Sequence, residues 1–198
     1  MKSGTKILLV ALAAGTLGAV ASLMTSGPGP LLRSELGQRM LNSMLSASAP
    51  KSPAGVTMAR RGQLMPLITL PDLADHRVTL PTAYAGRPLP INVWASWCGP
   101  CLREIPELQR YSAKQATNGV QVVGIALDDP IAVRAFLQKL PVAYPILFDP
   151  PGPADAGARL GNPRGVLPYS VLVSAEGRVL KQRIGPFADD EISAWARN

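Results

Sequence analysis

The sequence predicts an α/β fold, a central mixed β-sheet flanked by helices, behind an N-terminal export segment. Three observations predict it. Two nearly continuous apolar runs, residues 90–96 (PINVWAS) and 119–127 (GVQVVGIAL), read as strands buried on both faces. Helical stretches at 99–116 and 129–140 follow them in alternation, the pattern of a parallel sheet with crossover helices. Residues 169–174 and 178–184 then read as two strands joined by a turn at Glu176-Gly177, a hairpin that adds antiparallel strands.

The elements follow in order. Lys2 and Lys6 precede an uncharged apolar run, 7–24, the layout of a secretory signal. Its 18 residues are the lower edge for a membrane span. Two readings of 1–24 stand. Ala19-Val20-Ala21 is a small-x-small cleavage site, so the segment is a signal peptide. Alternatively it stays as a signal anchor, with its basic flank in the cytoplasm. Both export the body to the periplasm, in the second case tethered to the inner membrane. No cysteine follows the run, which excludes a lipoprotein anchor.

Residues 25–61 read as a linker. Gly27-Pro28-Gly29-Pro30 breaks any helix, and Leu31, Leu32, Leu36, Met40, Leu41, Met44 and Leu45 then form an apolar stripe of helical period. That stripe suits a helix on the membrane surface, one docked on the body, or a plain spacer. Residues 46–55 are rich in Ser, Ala and Pro, as flexible linkers are. The body, 62–198, opens with short strands at 63–70 and 77–80 around a turn at 72–76. Pro66 suits an edge position. Asp128 or Asp129 is available to cap the helix at 129–140. A short strand at 144–148 and a short helix at 154–160 lead to the hairpin. A helix at 189–197 closes the chain, with Asp189, Asp190 and Glu191 at its positive end.

Composition narrows the function. Apolar residues make up 47% of the 198, enough for a real core and too many for a disordered chain. The net charge of +7 invites a nucleic-acid reading, but its distribution argues against one. Residues 1–62 hold seven basic side chains against Glu35 alone, while the rest is nearly balanced, with 13 basic and 12 acidic. No nucleic-acid partner is expected, because the body lacks the basic footprint. With two cysteines and one histidine, His76, no zinc site can be completed from Cys and His, and no metal is expected.

Those two cysteines carry the chemistry. Trp97-Cys98-Gly99-Pro100-Cys101 sits where the most buried strand meets its helix. A thiol at a helix N-terminus feels the dipole and the unpaired N–H groups, and both favour thiolate. Cys98 would be the exposed nucleophile. Cys101, one turn into the helix, would resolve the mixed disulfide. Pro100 fits the first turn, where its missing N–H costs nothing. A purely structural Cys98–Cys101 disulfide would close too small a loop to stabilise much. An inert buried pair is disfavoured by the strand-to-helix placement.

Residues 88–184 resemble a thioredoxin-fold domain, and the likeness extends over about 62–198. The stretch 92–101 (NVWASWCGPC) is similar to that superfamily's active site, and Leu167-Pro168 to its cis-proline loop. Within it, the exported arm and the strands ahead of the core resemble the TlpA/ResA branch of membrane-tethered periplasmic thiol–disulfide oxidoreductases. Some of these reduce apocytochrome c or other exported proteins. The resemblance implies an electron donor at the membrane, exported disulfide-bonded proteins as substrates, and no cofactor.

Individual residues take roles beside that. Pro168 is expected to be cis, since X–Pro is the bond where cis is cheap, and to hold Leu167 open for strand-like pairing with substrate. The bland alternative is an ordinary trans proline opening a strand. Trp97, Gly99 and Pro100 would border the substrate site, whereas Trp94 belongs to the core. Glu104 lies three residues after Cys101 on the same helix face, and its side chain leans back toward the dithiol. A carboxylate there would shuttle a proton for Cys101, and the TlpA/ResA branch has an acid at this spacing. The alternative is a solvated glutamate like Glu107. Thioredoxin has its buried acid at the position of Asn92, which cannot titrate. Pro106 is expected to kink the helix. Two rival functions remain: a disulfide oxidase or isomerase on the same fold, and a non-catalytic metal or assembly chaperone. A peroxidatic thiol fits less well with Cys101 so close.

Overall fold

The structure, a computed structural model, describes residues 32, 34–49, 53, 55–115 and 119–197. The apolar run 7–24 lies outside the described residues. Two compact units divide the chain, Met1–Leu41 and Asn42–Asn198. The described residues of the first belong to helix α1 (Glu35–Ala47) and the positions just before it. Leu36, Met40 and Met44 of the apolar stripe are exposed. Among the described residues no helix is long and apolar enough to cross a membrane.

The second unit holds both sheets. Strands β1 (Ile68–Pro71) and β2 (Arg77–Leu80) pair antiparallel. Asp72 shapes the turn between them by accepting the N–H groups of Ala74 (2.8 Å) and His76 (2.9 Å). The expected strand at 63–70 shrinks to β1 plus a lone bridge from Leu64 to Arg178. Pro66, which has no N–H, interrupts it.

The central sheet has the order β5-β4-β3-β6-β7. Strands β3 (Leu89–Trp94), β4 (Val123–Leu127) and β5 (Ile146–Asp149) run parallel. Strands β6 (Tyr169–Val173) and β7 (Val179–Ile184) are antiparallel, β6 against β3 and β7 against β6. This is the mixed sheet the sequence predicts. β4 starts later than expected because residues 119–122 run outside the ladder. There Gly119 has φ +79°, and the Gly119 carbonyl accepts from the Arg87 side chain.

Helix α2 (Gly99–Gln115) starts where expected and stays one helix through Pro106. Helix α3 (Pro130–Lys139) is capped by Asp129, whose carboxylate accepts the N–H groups of Ile131 and Ala132. Helix α4 (Ala156–Arg159) is a single turn capped by Asp155. Helix α5 (Glu191–Trp195) is shorter than the 189–197 expected, since Asp190 turns left-handed (φ 58°) just before it.

Every residue of β3 is buried, and its two faces belong to different cores. Leu89, Ile91 and Val93 face a cluster that includes β1, β2 and Tyr169. Trp94 faces the second cluster, with Ile105 and Leu108 of α2, Val133 of α3, Ile192 of α5 and both cysteines. The disulfide therefore rests on a packed core and not on a mobile loop.

One glycine supports the approach to β6. Gly161 has φ +101°, and a Cβ there would lie 2.8 Å from the Ala59 carbonyl oxygen and against the Gln182 amide. Gly161→Ala should therefore cost about 2–3 kcal/mol in urea unfolding. Unchanged stability would contradict this packing.

Candidate active site

β3 ends at Trp94 and α2 begins at Gly99, so Cys98 occupies the helix cap. Its N–H donates to the Ala95 carbonyl (3.1 Å), and its own carbonyl accepts the Leu102 N–H (3.1 Å). Cys98 and Cys101 form a disulfide with Cα atoms 5.3 Å apart. The Cys101 N–H donates to the Cys98 sulfur at 3.3 Å. In the reduced protein that donor, together with the helix dipole, stabilises charge on Cys98 and not on Cys101.

Cys101 is wholly buried, whereas Cys98 is 5% exposed. Cys98 is thus the more accessible residue of the two but less open than expected, because it bonds inward to Cys101 and lies in the apolar cluster. The surface around it is supplied by Trp97, at 69% exposure, and by the exposed Gly99 and Pro100. A Cβ on Gly99 would meet only Arg103, at 3.8 Å, so space does not demand glycine there.

Register brings the proline loop to this end of the sheet. Val93 pairs with Tyr169, so the residues before Tyr169 stand beside the end of β3 that leads to Cys98. The Leu167–Pro168 bond is cis. Pro168 is buried, and half-buried Leu167 packs against the cluster that holds both cysteines. Asn162 shapes the loop: its amide donates to the Val166 carbonyl (2.8 Å) and accepts the Val166 N–H (3.2 Å).

Glu104 is 2% exposed, not a solvated surface acid. One carboxylate oxygen accepts the Asn92 amide (2.8 Å) and the other accepts the Phe187 N–H (3.0 Å). Asn92 also donates to the Ser170 hydroxyl (3.1 Å). Burial pushes the Glu104 carboxyl up to about 7, against the pull of the Phe187 N–H, the Asn92 amide and the Arg183 charge. Glu107 is buried too, which corrects its reading as a solvated side chain. It pairs with Arg110 and accepts the Asp190 N–H (3.1 Å).

The Redoxin family profile matches residues 60–196. The chain belongs to the Redoxin family. It is 32% identical over 155 residues to the thiol:disulfide interchange protein HelX of Rhodobacter capsulatus, covering 77% of each chain. It is 26% identical to the thiol-disulfide oxidoreductase ResA of Bacillus thuringiensis, over 69% of this chain and 76% of that one. Among solved structures, a Chlorobium tepidum protein assigned as thiol:disulfide interchange protein DsbE superposes with a TM-score of 0.59 at 30% identity. That match covers 69% of this chain and 94% of the other. This Redoxin is therefore a thioredoxin-like disulfide oxidoreductase of the ResA type, and thiol–disulfide exchange at Cys98 and Cys101 is its chemistry.

Two supports of this Redoxin site escape a reading of local sequence. Asp128, at the end of β4, accepts both the N–H (2.8 Å) and the hydroxyl (2.6 Å) of Ser96, and so pins the loop entering Trp97-Cys98. Asn92, noted in the sequence only as unable to titrate, donates its amide to Glu104. A polar side chain inside an otherwise apolar strand must find a buried partner, and that was its signal.

The buried acid makes stability depend on pH. The folded protein holds the Glu104 proton more tightly than the unfolded chain, whose value is near 4.5. Stability from this group is complete below about pH 4.5 and is lost as pH rises through about 7, a difference on the order of 3 kcal/mol. Urea unfolding of the oxidised protein at pH 5 and pH 8 should show that fall, and Glu104→Gln should remove most of it. An equal fall in the variant would place the titration elsewhere.

Proposed function

We propose that this protein is a thiol–disulfide reductant of the bacterial cell envelope, acting on disulfides of exported proteins. The observation that carries the reading is the pairing of a helix-capping Cys98 with a fully buried Cys101 one turn before a buried acid. The basic-then-apolar start of the chain supports export, with 7–24 as cleaved signal or inner-membrane anchor. Residues 62–198 form the catalytic domain in this reading. Cytochrome c maturation is one version of the job, implied by the resemblance to the TlpA/ResA branch.

The chemistry balances over two exchanges. The Cys98 thiolate attacks one sulfur of the substrate disulfide, and the other substrate sulfur leaves as thiolate and takes a proton from water. Cys101 gives its proton to the Glu104 carboxylate and attacks the Cys98 sulfur. The second substrate thiolate leaves, and the substrate has gained two electrons while Cys98–Cys101 has closed. A dithiol donor at the membrane then reopens it by the same exchange in reverse. Trp97, Gly99 and Pro100 border the incoming disulfide, and Leu167 offers its backbone to the substrate strand beside Pro168.

The reduction potential of Cys98–Cys101 in a graded glutathione buffer tests the direction. A value near thioredoxin's, about −270 mV, is expected. A value near about −120 mV would make the protein an oxidase instead. Cys101→Ser should trap a mixed disulfide through Cys98, and Cys98→Ser should trap none. Full function of Cys98→Ser in cells would favour a non-catalytic chaperone.

A further inference from the structure

Arg183, on β7, is 2% exposed, a guanidinium in the core about as deep as Glu104. Such a charge is retained only with good partners. Glu191 supplies them from α5, holding both terminal nitrogens at 2.9 and 3.0 Å. Arg183 also donates to the Pro186 carbonyl (3.0 Å), and its guanidinium stacks 4.7 Å above the Phe187 ring. Glu191 in turn accepts the Ala188 N–H (2.8 Å). The pair thus grips the turn at 186–188 from both sides. The Phe187 N–H in the middle of that turn is the backbone donor to Glu104.

We propose that Arg183, paired with Glu191, is a positioning residue for the active-site acid. It fixes the Phe187 N–H on Glu104, and its charge eases ionisation of that carboxylate. The inference rests on the reading of Glu104 as the proton carrier for Cys101. The other groups around Glu104 are accounted for. Asn92 of β3 donates to it, and Ser170 of β6 accepts from Asn92. Tyr144, ahead of β5, is buried, and the Glu104 charge helps hold its phenol protonated. Glu107 is engaged by Arg110 and Asp190, and Lys181 of β7 by the Trp195 and Arg197 carbonyls. Among the described residues, Arg183 is the cation whose charge acts on Glu104.

The two members of the pair make opposite predictions, which a general loosening of the fold would not. Carboxyl-carbon NMR of the full-length oxidised protein, with Glu104→Gln to assign the signal, reads the Glu104 titration directly. Arg183→Met removes the cation and leaves Glu191 unpaired, so the midpoint should rise by about one pH unit. Arg183→Lys should restore part of that shift. Glu191→Gln leaves the cation uncompensated, so the midpoint should fall. An unmoved midpoint in Arg183→Met, or shifts of the same sign in both variants, would overturn the proposal. If Arg183→Met does not fold, Glu191→Gln decides alone: a fall supports the proposal, and a rise or no shift overturns it. The underlying reading fails separately. In that case Glu104→Gln would leave the pH profile of disulfide exchange unchanged, whatever the midpoints do.

Discussion

Between the last residue of β3 and the first of α2 lie only four residues, Ala95 to Cys98, and they must turn a buried strand into a helix. The turn is held by backbone and side chain together. Cys98 closes it onto Ala95, and the Asp128 carboxylate at the end of the neighbouring strand takes both donors of Ser96. Because β3 is buried on both faces, this junction has little freedom to shift. The consequence is chemical: the Cys101 N–H in the first turn of α2 donates to one sulfur, Cys98, while the other is carried one turn inward. The proposed difference in reactivity between the two cysteines thus follows from where a helix begins.

The same rigidity explains why a carboxylate can be kept buried one helical turn after Cys101. Burying an acid costs free energy unless donors meet it or it keeps its proton. Glu104 is met halfway. Two donors and a nearby guanidinium favour the charged form, burial opposes it, and the balance falls close to neutral pH. In the proposed mechanism, an acid poised there takes a proton from Cys101 and releases it again within one turnover. An acid at its ordinary value would hold a thiol proton poorly. The arrangement depends on α2, β3 and the turn after β7 meeting at one point, so the proton chemistry is a product of tertiary packing.

What was legible in the sequence had local causes. The apolar runs at 90–96 and 119–127 marked β3 and β4 because strands buried on both faces carry little polar patterning. The cysteine pair and Pro100 marked the start of α2 because caps and first turns have their own residue preferences. What was not legible had long-range causes. The Phe187 N–H reaches Glu104 across 83 residues, and the amide of Asn92 reaches it across 12. Only strand order brings them together. Glu107 was readable in principle: it stands three residues after Glu104, hence on the same face. A preference for solvated glutamates hid it. Pro66 shortened an expected strand, because apolar alternation does not register a missing N–H.

The account stands or falls on the claim that the helix start activates Cys98 alone. Alkylation of the reduced full-length protein by iodoacetamide, followed at each cysteine by mass spectrometry across pH, measures this directly. Cys98 should react with a midpoint at least about one unit below the ordinary thiol value of about 8.5, while Cys101 stays unmodified in the folded state. A Cys98 midpoint at or above the ordinary value, or faster reaction at Cys101, would contradict it.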